Sequence, residues 1–545
     1  VVNKPAGWNT HAPSSYAGEG LYDWLKHREP RWASLAIIHR LDKDTSGVLV
    51  FGKTPLANRS LTEQFTHRAV KKTYLLLTDR APKQREFVVQ SNLFRAGDRY
   101  VSGPHGEPAE TKFQVGQRPV AIGHPCERPP ADACAVMAEP LTGRTHQIRV
   151  HAAEQGFPIL GDTLYGGAPW PRVCLHAAEL RFRHPATGEA VVFSAPVDFA
   201  ADARRALRRA LIEPETTDAF RLVHGASDGC PGWYVEQLGA FLLAQTGSEW
   251  PAELPPPLRG LFPPRAPRTT YYKRLSHHVR GATVRESSPR LVLGEAAPER
   301  FTIRENGVRF ELSFHEGYSV GLFLDQRDNR RRLLTGHVAA GFALLAEGRV
   351  APAPDALSTE APGTRATPPS RGWEVLNCFA YTCGFSVCAA LAGARATSLD
   401  LSKKYLEWGR RNFALNDLDP AAHDFIYGDT FDWLKRLARK QRAFDAVLLD
   451  PPTFSQSKAG GVFRAEKDYG RLVSAALPVL KPGGVLFAST NAAEWQPEAF
   501  VAEIERAVRA AGRSVRQRHY APQPPDFPVS RAEPAHLKTL WLRLA

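Results

Sequence analysis

The sequence predicts three parts in series: a mixed α+β domain, a small β-rich module and an α/β domain built on a parallel sheet. Three observations predict it. The chain has 545 residues, 43% hydrophobic and 23% charged, enough for several ordinary globular cores. Its first 199 residues mix strand-like runs and helix signals around one polar loop. From Gly372 onward strand and helix patterns alternate, and aspartates follow three of the strands, as when a parallel sheet binds ligands at its carboxyl ends.

In residues 1–199 the polar loop is His39-Arg40-Leu41-Asp42-Lys43-Asp44-Thr45-Ser46-Gly47, set between apolar runs Leu35–Ile38 and Val48–Phe51. The chain is expected to leave one strand, present Arg40 and Asp42, and enter another, Val48–Lys53. Thr54 then Pro55 opens a helix, as a cap followed by a residue whose fixed φ suits the first turn. Tyr74–Leu77 and Ala135–Glu139 read as strands, separated by a Pro-rich surface loop over Gly116–Ala133. Residues Gly143–His151 read as a helix that puts His146 and Arg149 on one face at i,i+3, with Gly156 as its stop.

Residues 200–218 read as a linker helix, and 219–310 as a β-rich RNA-recognition module with turns at Gly229–Gly232 and Asn306-Gly307. Its Tyr271-Tyr272-Lys273-Arg274 suits either bases and phosphates or a half-buried strand, the second being favoured. Residues 311–545 form the α/β part, with a Pro/Ala/Ser/Thr-rich insert, 350–371, expected to be disordered. Strand Trp373–Cys378 leads into a Thr382-Cys383-Gly384 turn. Strand Ala396–Leu399 ends at Asp400, with Ser402 capping the next helix. Strand Asp424–Tyr427 ends at Asp429, strand Phe444–Leu449 at Asp450-Pro451-Pro452, and Lys481–Gly484 turns into strand Val485–Ser489.

The net charge of +14 and pI near 9.5 point to a polyanionic partner, nucleic acid first. No apolar run approaches ~18 residues, so no transmembrane helix is expected. Seven scattered cysteines without a CxxC pair argue for reduced thiols in a cytoplasm and against a zinc site. The opening Val1-Val2-Asn3-Lys4-Pro5 reads as mid-strand, as though a short N-terminal piece were missing.

The string HRLDKDTSG closely resembles the active-site motif of the RluA-type pseudouridine synthases, and Asp42 falls on that family's catalytic aspartate. Lys71-Lys72-Thr73-Tyr74 matches its K-x-Y pattern. Gly143–His151, Gly161-Asp162…Tyr165-Gly166, Cys174–Ala177 and Phe182–Glu189 follow in family order, so the resemblance spans nearly all of 1–199. It implies the family's α+β catalytic domain, which needs neither metal nor organic cofactor. The glycosidic bond of uridine must break, the base must turn over, and C5 must rejoin the sugar. A carboxylate serves as nucleophile at the sugar or as base in glycal formation, and Asp42 takes that role. By motif position Arg149 is the cation expected to keep Asp42 ionised, Tyr74 packs on the base, and Arg40 helps hold the nucleotide out of its helix. Arg144 and His146 are further RNA-binding candidates. Without the resemblance, these groups read equally well as a salt-bridge network.

Phe220–Gly239, Gly321–Arg330, Tyr381–Phe385 and Asp450–Phe454 resemble the ribosomal RNA methyltransferases of the RlmI/RlmK group. The implied fold is a Rossmann-like class I methyltransferase using S-adenosyl-L-methionine. Phe323, Arg327, Thr382, Gly384, Asp400, Asp429 and Asp450 are the expected cofactor residues, and Pro451, Pro452 and Phe454 line the methyl-acceptor site. Strand-end aspartates also serve as plain helix caps, so that reading stays open. C5 of cytosine must first be attacked by a thiolate. The RlmI branch keeps a cysteine where this chain reads Ser489-Thr490-Asn491, and Tyr405–Trp408 with Asp450–Lys458 resembles the RlmK branch, so guanine N7 is expected. The whole chain then reads as a bifunctional enzyme acting on large-subunit rRNA. The alternatives are a tRNA-directed synthase with cytosine-C5 or other base methylation, or an RNA-binding ribosome assembly factor with one idle site.

Overall fold

The structure is a computed structural model that describes residues 1–18, 20–116, 133–262, 268–275, 287–317, 319–345, 372–457 and 461–545. The chain divides into two compact units, one of residues 1–13, 19–26 and 31–211, the other of 14–18, 27–30 and 212–545. Helix Ala203–Leu211, expected as a linker, groups with the first unit. Most of the Pro-rich 116–133 loop and the whole of the 350–371 insert lie outside the described residues. Among the described residues no helix is long and apolar enough to cross a membrane.

The first unit is a nine-stranded mixed sheet. Its spine runs through Val2–Lys4, Ser46–Leu49, Leu175–Arg183, Lys71–Thr78, Cys134–Pro140, Glu107–Val115 and Glu86–Ala96. Strand Ser46–Leu49 pairs parallel to Leu175–Arg183, while its other neighbour, Val2–Lys4, is antiparallel. The short strand Ala36–Ile37 pairs instead with Phe51–Gly52, so the polar loop spans 38–45 between two different sheets. Thr54 caps helix Pro55–Thr66 as expected, its Oγ1 accepting from Ala57 N at 3.2 Å. Leu76, Phe113, Val136 and Phe157 fill one core, while Val48, Val50 and Leu61 belong to another.

The second unit carries a five-stranded sheet over Ala219–Leu293, a hairpin and a seven-stranded sheet. The hairpin Phe301–Glu305/Val308–Leu312 turns on Asn306-Gly307, both at positive φ, as that dipeptide favours. Tyr271 and Tyr272 are 2% exposed, and Tyr271 stacks on Phe314 at 3.9 Å. They are buried strand aromatics, and the base-stacking alternative falls. The seven-stranded sheet runs Asp424–Tyr427, Arg395–Asp400, Glu374–Cys378, Phe444–Leu449, Leu480–Thr490, Lys538–Leu544, Val515–Pro522. The first five strands are parallel and the last two antiparallel. Strand order reverses beside Glu374–Cys378, so a crevice is expected beyond its carboxyl end. Both faces are covered, since Val375, Ala446 and Phe487 enter one core and Leu376, Val447 and Leu486 the other.

Candidate active sites

The polar loop of the first unit is held at both ends and in the middle. His39 Nε2 accepts from Val50 N at 3.1 Å, and its ring stacks on Phe65 at 4.7 Å. Burial pushes the His39 pKa down to about 3, so this imidazole is a neutral staple. Thr10 Oγ1 donates to Leu41 O at 2.8 Å and accepts from Leu41 N at 3.0 Å. Lys4, fully buried, donates to the carbonyls of Pro5, Trp8 and Lys43. At the far end Ser46 Oγ meets His176 Nδ1 at 2.8 Å and Arg172 Nη2 at 2.5 Å. Gly47 has φ +118°, and a Cβ there would stand 2.2 Å from Ala177 O, so the motif requires glycine.

This bracing presents Asp42 to a cavity of about 1130 Å³, which Arg40, Tyr74, Arg144, His146 and Arg149 also line. All six residues selected from sequence for this unit are thus brought together. Three details correct the expectation. Arg149 does not pair with Asp42: its Nε and Nη2 each donate to Asp162 at 2.7 Å, both residues being buried. Asp42 and Asp44 act on Arg149 only through the field, helping raise its pKa. His146 does not share a helical face with Arg149, because the helix is Gln147–Glu154 and His146 is its N-cap at φ +57°. Arg144 is half-engaged, bonded to Glu107 at 2.5 Å and to Pro108 O. Tyr74 is raised well above its ordinary pKa by burial and by Asp42, so it stays a phenol.

In the second unit the expected turn is conformationally unusual. Phe379, Tyr381 and Cys383 all have positive φ, at 60°, 49° and 64°. Three such non-glycine residues in one turn concentrate backbone strain where a ligand site is expected. Helix Gly384–Leu391 starts directly behind it. Gly384 lets the segment ahead of helix Arg327–Thr335 approach, since a Cβ would stand 3.0 Å from Leu322 Cδ1. Asp400 accepts from Tyr381 N and Ser402 N, both at 2.8 Å, which ties the strand end to this turn. Phe323, Leu401 and Tyr427 are 47%, 41% and 53% exposed. Phe323 packs on Tyr381 at 5.3 Å, while Leu401 and Tyr427 lie at carboxyl ends of strands. A planar ligand fits such uncovered apolar groups beside carboxylates.

Asp450 is half-buried against Gln326 Nε2, which donates to it at 3.3 Å and to Ser489 Oγ at 2.7 Å. Burial, with Asp325 nearby, pushes its pKa up to about 6. Pro451 is buried, while Pro452 and Phe454 are exposed just beyond. Three other expected residues have partners of their own. Arg327 is committed to Asp526 by two bonds of 2.8 and 2.6 Å, a buried structural pair. Thr382 is fully buried and spends its hydroxyl on Gly321 O at 2.6 Å. Asp429 Oδ1 caps helix Thr430–Arg439 through Phe431 N and Asp432 N.

Sequence reading missed Asp162 and Tyr165, which underlie the first site, and Gln326 and Ser489, which border Asp450. Asp162 and Tyr165 stand in a segment singled out above, but nothing local indicates which cation or ring each meets. Cys378, Cys383 and Cys388 are buried, and burial raises all three thiols, Cys383 to about 12.

Residues 1–154 match the family model described as RNA pseudouridylate synthase. Residues 365–543 match that of S-adenosylmethionine-dependent methyltransferases. A ribosomal RNA large subunit methyltransferase of Deinococcus radiodurans is 34% identical over 353 residues, 63% of this chain and 78% of its own length. Ribosomal large subunit pseudouridine synthase C of Yersinia pestis is 39% identical over 212 residues, 36% of this chain and 62% of its own length. A methyltransferase crystallised with SAH aligns with TM-score 0.50 and 27% identity, over 62% of this chain and 79% of that one.

Proposed function

This chain belongs to the ribosomal RNA large subunit methyltransferase family and carries an RNA pseudouridylate synthase domain ahead of it, and from that premise we propose that both of its sites act on large-subunit ribosomal RNA. It is a bifunctional enzyme, an RNA pseudouridine synthase and an S-adenosylmethionine-dependent methyltransferase. We keep 1–199 as the synthase domain, 219–310 as the RNA-recognition module and 311–545 as the methyltransferase domain.

The gathering of Asp42, Tyr74, Arg40 and Arg149 around one cavity carries the reading of the first half. Asp42 acts at the sugar, either by bonding C1′ or by taking the C2′ proton. Tyr74 packs on the uracil as a neutral phenol, and Arg40 holds the extruded nucleotide. This half needs no cofactor. In the second half S-adenosylmethionine supplies the methyl group. Phe323, Asp400 and the Tyr381–Gly384 turn hold it, Asp429 caps the neighbouring helix at its adenine end, and Asp450 with Pro451, Pro452 and Phe454 receives the target base. Guanine N7 is the atom proposed. It needs only to be aligned, whereas cytosine C5 needs a thiolate, and Cys378, Cys383 and Cys388 are buried with raised pKa values. The enzyme is proposed to work in the cytoplasm.

Separate Asp42→Ala and Asp450→Ala variants test the assignment. With mass spectrometry of modified ribosomal RNA, the first is expected to lose one pseudouridine and keep the methyl mark, the second the reverse. Persistence of either mark in its own variant overturns the role given to that aspartate. An unchanged nucleoside profile in a deletion strain overturns ribosomal RNA as substrate, and a methylcytosine in place of 7-methylguanine overturns the choice of base.

A further inference from the structure

Behind the first cavity lies a hydrogen-bonded chain that the roles above leave unused. Tyr165 Oη accepts from Tyr100 N at 2.8 Å and meets His146 Nδ1 at 2.8 Å. A phenol has one proton to give. Tyr100 N–H already occupies an acceptor position on Oη, and among the described residues the only other partner recorded for that oxygen is Nδ1. With the hydroxyl donating to Nδ1, the proton of the neutral imidazole is on Nε2. The ring is fixed further by Tyr100 and Tyr165, whose rings meet it edge-on at 5.4 and 5.6 Å. Arg149, clamped by Asp162, lies 5.0 Å over the Tyr165 ring. His146 itself is held at φ +57°, a conformation that persists only where the surroundings impose it. Its Nε2 has no partner among the described residues, and the residue lines the cavity that holds Asp42.

We propose that His146 donates its Nε2–H to a carbonyl oxygen of the detached uracil, and that Tyr165 is the positioning residue that fixes this tautomer and ring orientation. The inference rests on the synthase reading above. When the N1–C1′ bond breaks, its electron pair leaves with the base, and the charge spreads over N1, O2 and O4. A fixed neutral donor stabilises that charge without giving up its proton. C5 then bonds C1′, the C5 proton departs and N1 takes one up, so the composition of the nucleotide is unchanged.

Nitrogen-15 NMR of histidine-labelled full chain, with His146→Gln for assignment, reads the tautomer directly. Wild type is expected to carry the proton on Nε2, and Tyr165→Phe is expected to move the Nδ1 resonance as its donor is lost. In single-turnover assays Tyr165→Phe should slow pseudouridine formation about tenfold with RNA affinity unchanged. His146→Gln, which keeps an N–H donor, should be about tenfold faster than His146→Ala. A proton found on Nδ1 in wild type, an unslowed Tyr165→Phe, or a His146→Gln no faster than His146→Ala overturns the inference. If wild type forms no pseudouridine in ribosomal RNA, the parent reading fails and the catalytic role fails with it, whatever the tautomer.

Discussion

The Arg149–Asp162 pair and Asp450 illustrate how the same physics gives different chemistry. Arg149 and Asp162 satisfy each other in a two-pronged bond, and removing one partner of such a pair typically costs about 3–5 kcal/mol. Activity lost in Arg149→Ala would therefore mix catalysis with folding, which is why Asp42 is the cleaner probe. Asp450 has neutral partners instead, and its pKa rises to about 6. That value lies above the unfolded one, near 4, so the native state binds more protons between them. Stability is then lost as pH rises through that window and levels off above it. At about 1.4 kcal/mol per unit, the ionised carboxylate costs the fold on the order of 2–3 kcal/mol. Asp450→Asn is expected to flatten this dependence and raise the methyltransferase melting temperature at pH 7.5 but not at pH 4. Equal pH dependence of the two proteins would refute the assignment.

Among the elements, the turn after Glu374–Cys378 is the most exacting. Thr382 joins it to Gly321, itself at φ +124° with a Cβ position 2.7 Å from the Trp408 ring. Two segments 61 residues apart in sequence are thus locked at one point. Thr382→Val keeps the shape but strands a buried carbonyl, at about 1–3 kcal/mol. We expect calorimetry to give roughly tenfold weaker S-adenosylmethionine binding, with pseudouridine formation unchanged. An unchanged binding constant would mean that this link does not shape the site. Helix starts were easier to foresee: Thr54 and Ser402 cap where expected, because a cap is a local bond to an N–H three residues on.

For the whole molecule, the +14 charge is a statement about partners rather than fold. Many of the arginines are spent internally, as Arg327 on Asp526 and Arg330 on Glu305, yet residues such as Arg40 stay exposed. RNA binding should therefore weaken by at least about tenfold between 50 and 200 mM monovalent salt. Filter binding with a ribosomal RNA fragment measures it, and a flat response would argue against phosphate contacts as the source of affinity.

Taken alone, the sequence indicated the chain's two activities, the loop bearing Asp42, the strand–helix alternation of the α/β part, and the helix starts at Thr54 and Ser402. These depend on contiguous residues, whose spacing encodes periodicity, caps and turns. Tertiary structure alone decided which charges meet. Asp162 takes Arg149 from Asp42, Asp526 takes Arg327 from the cofactor side, and Tyr165 reaches His146 from nineteen residues away. A charged side chain pairs with whatever opposite group the fold brings within about 3 Å, and no local pattern carries that distance.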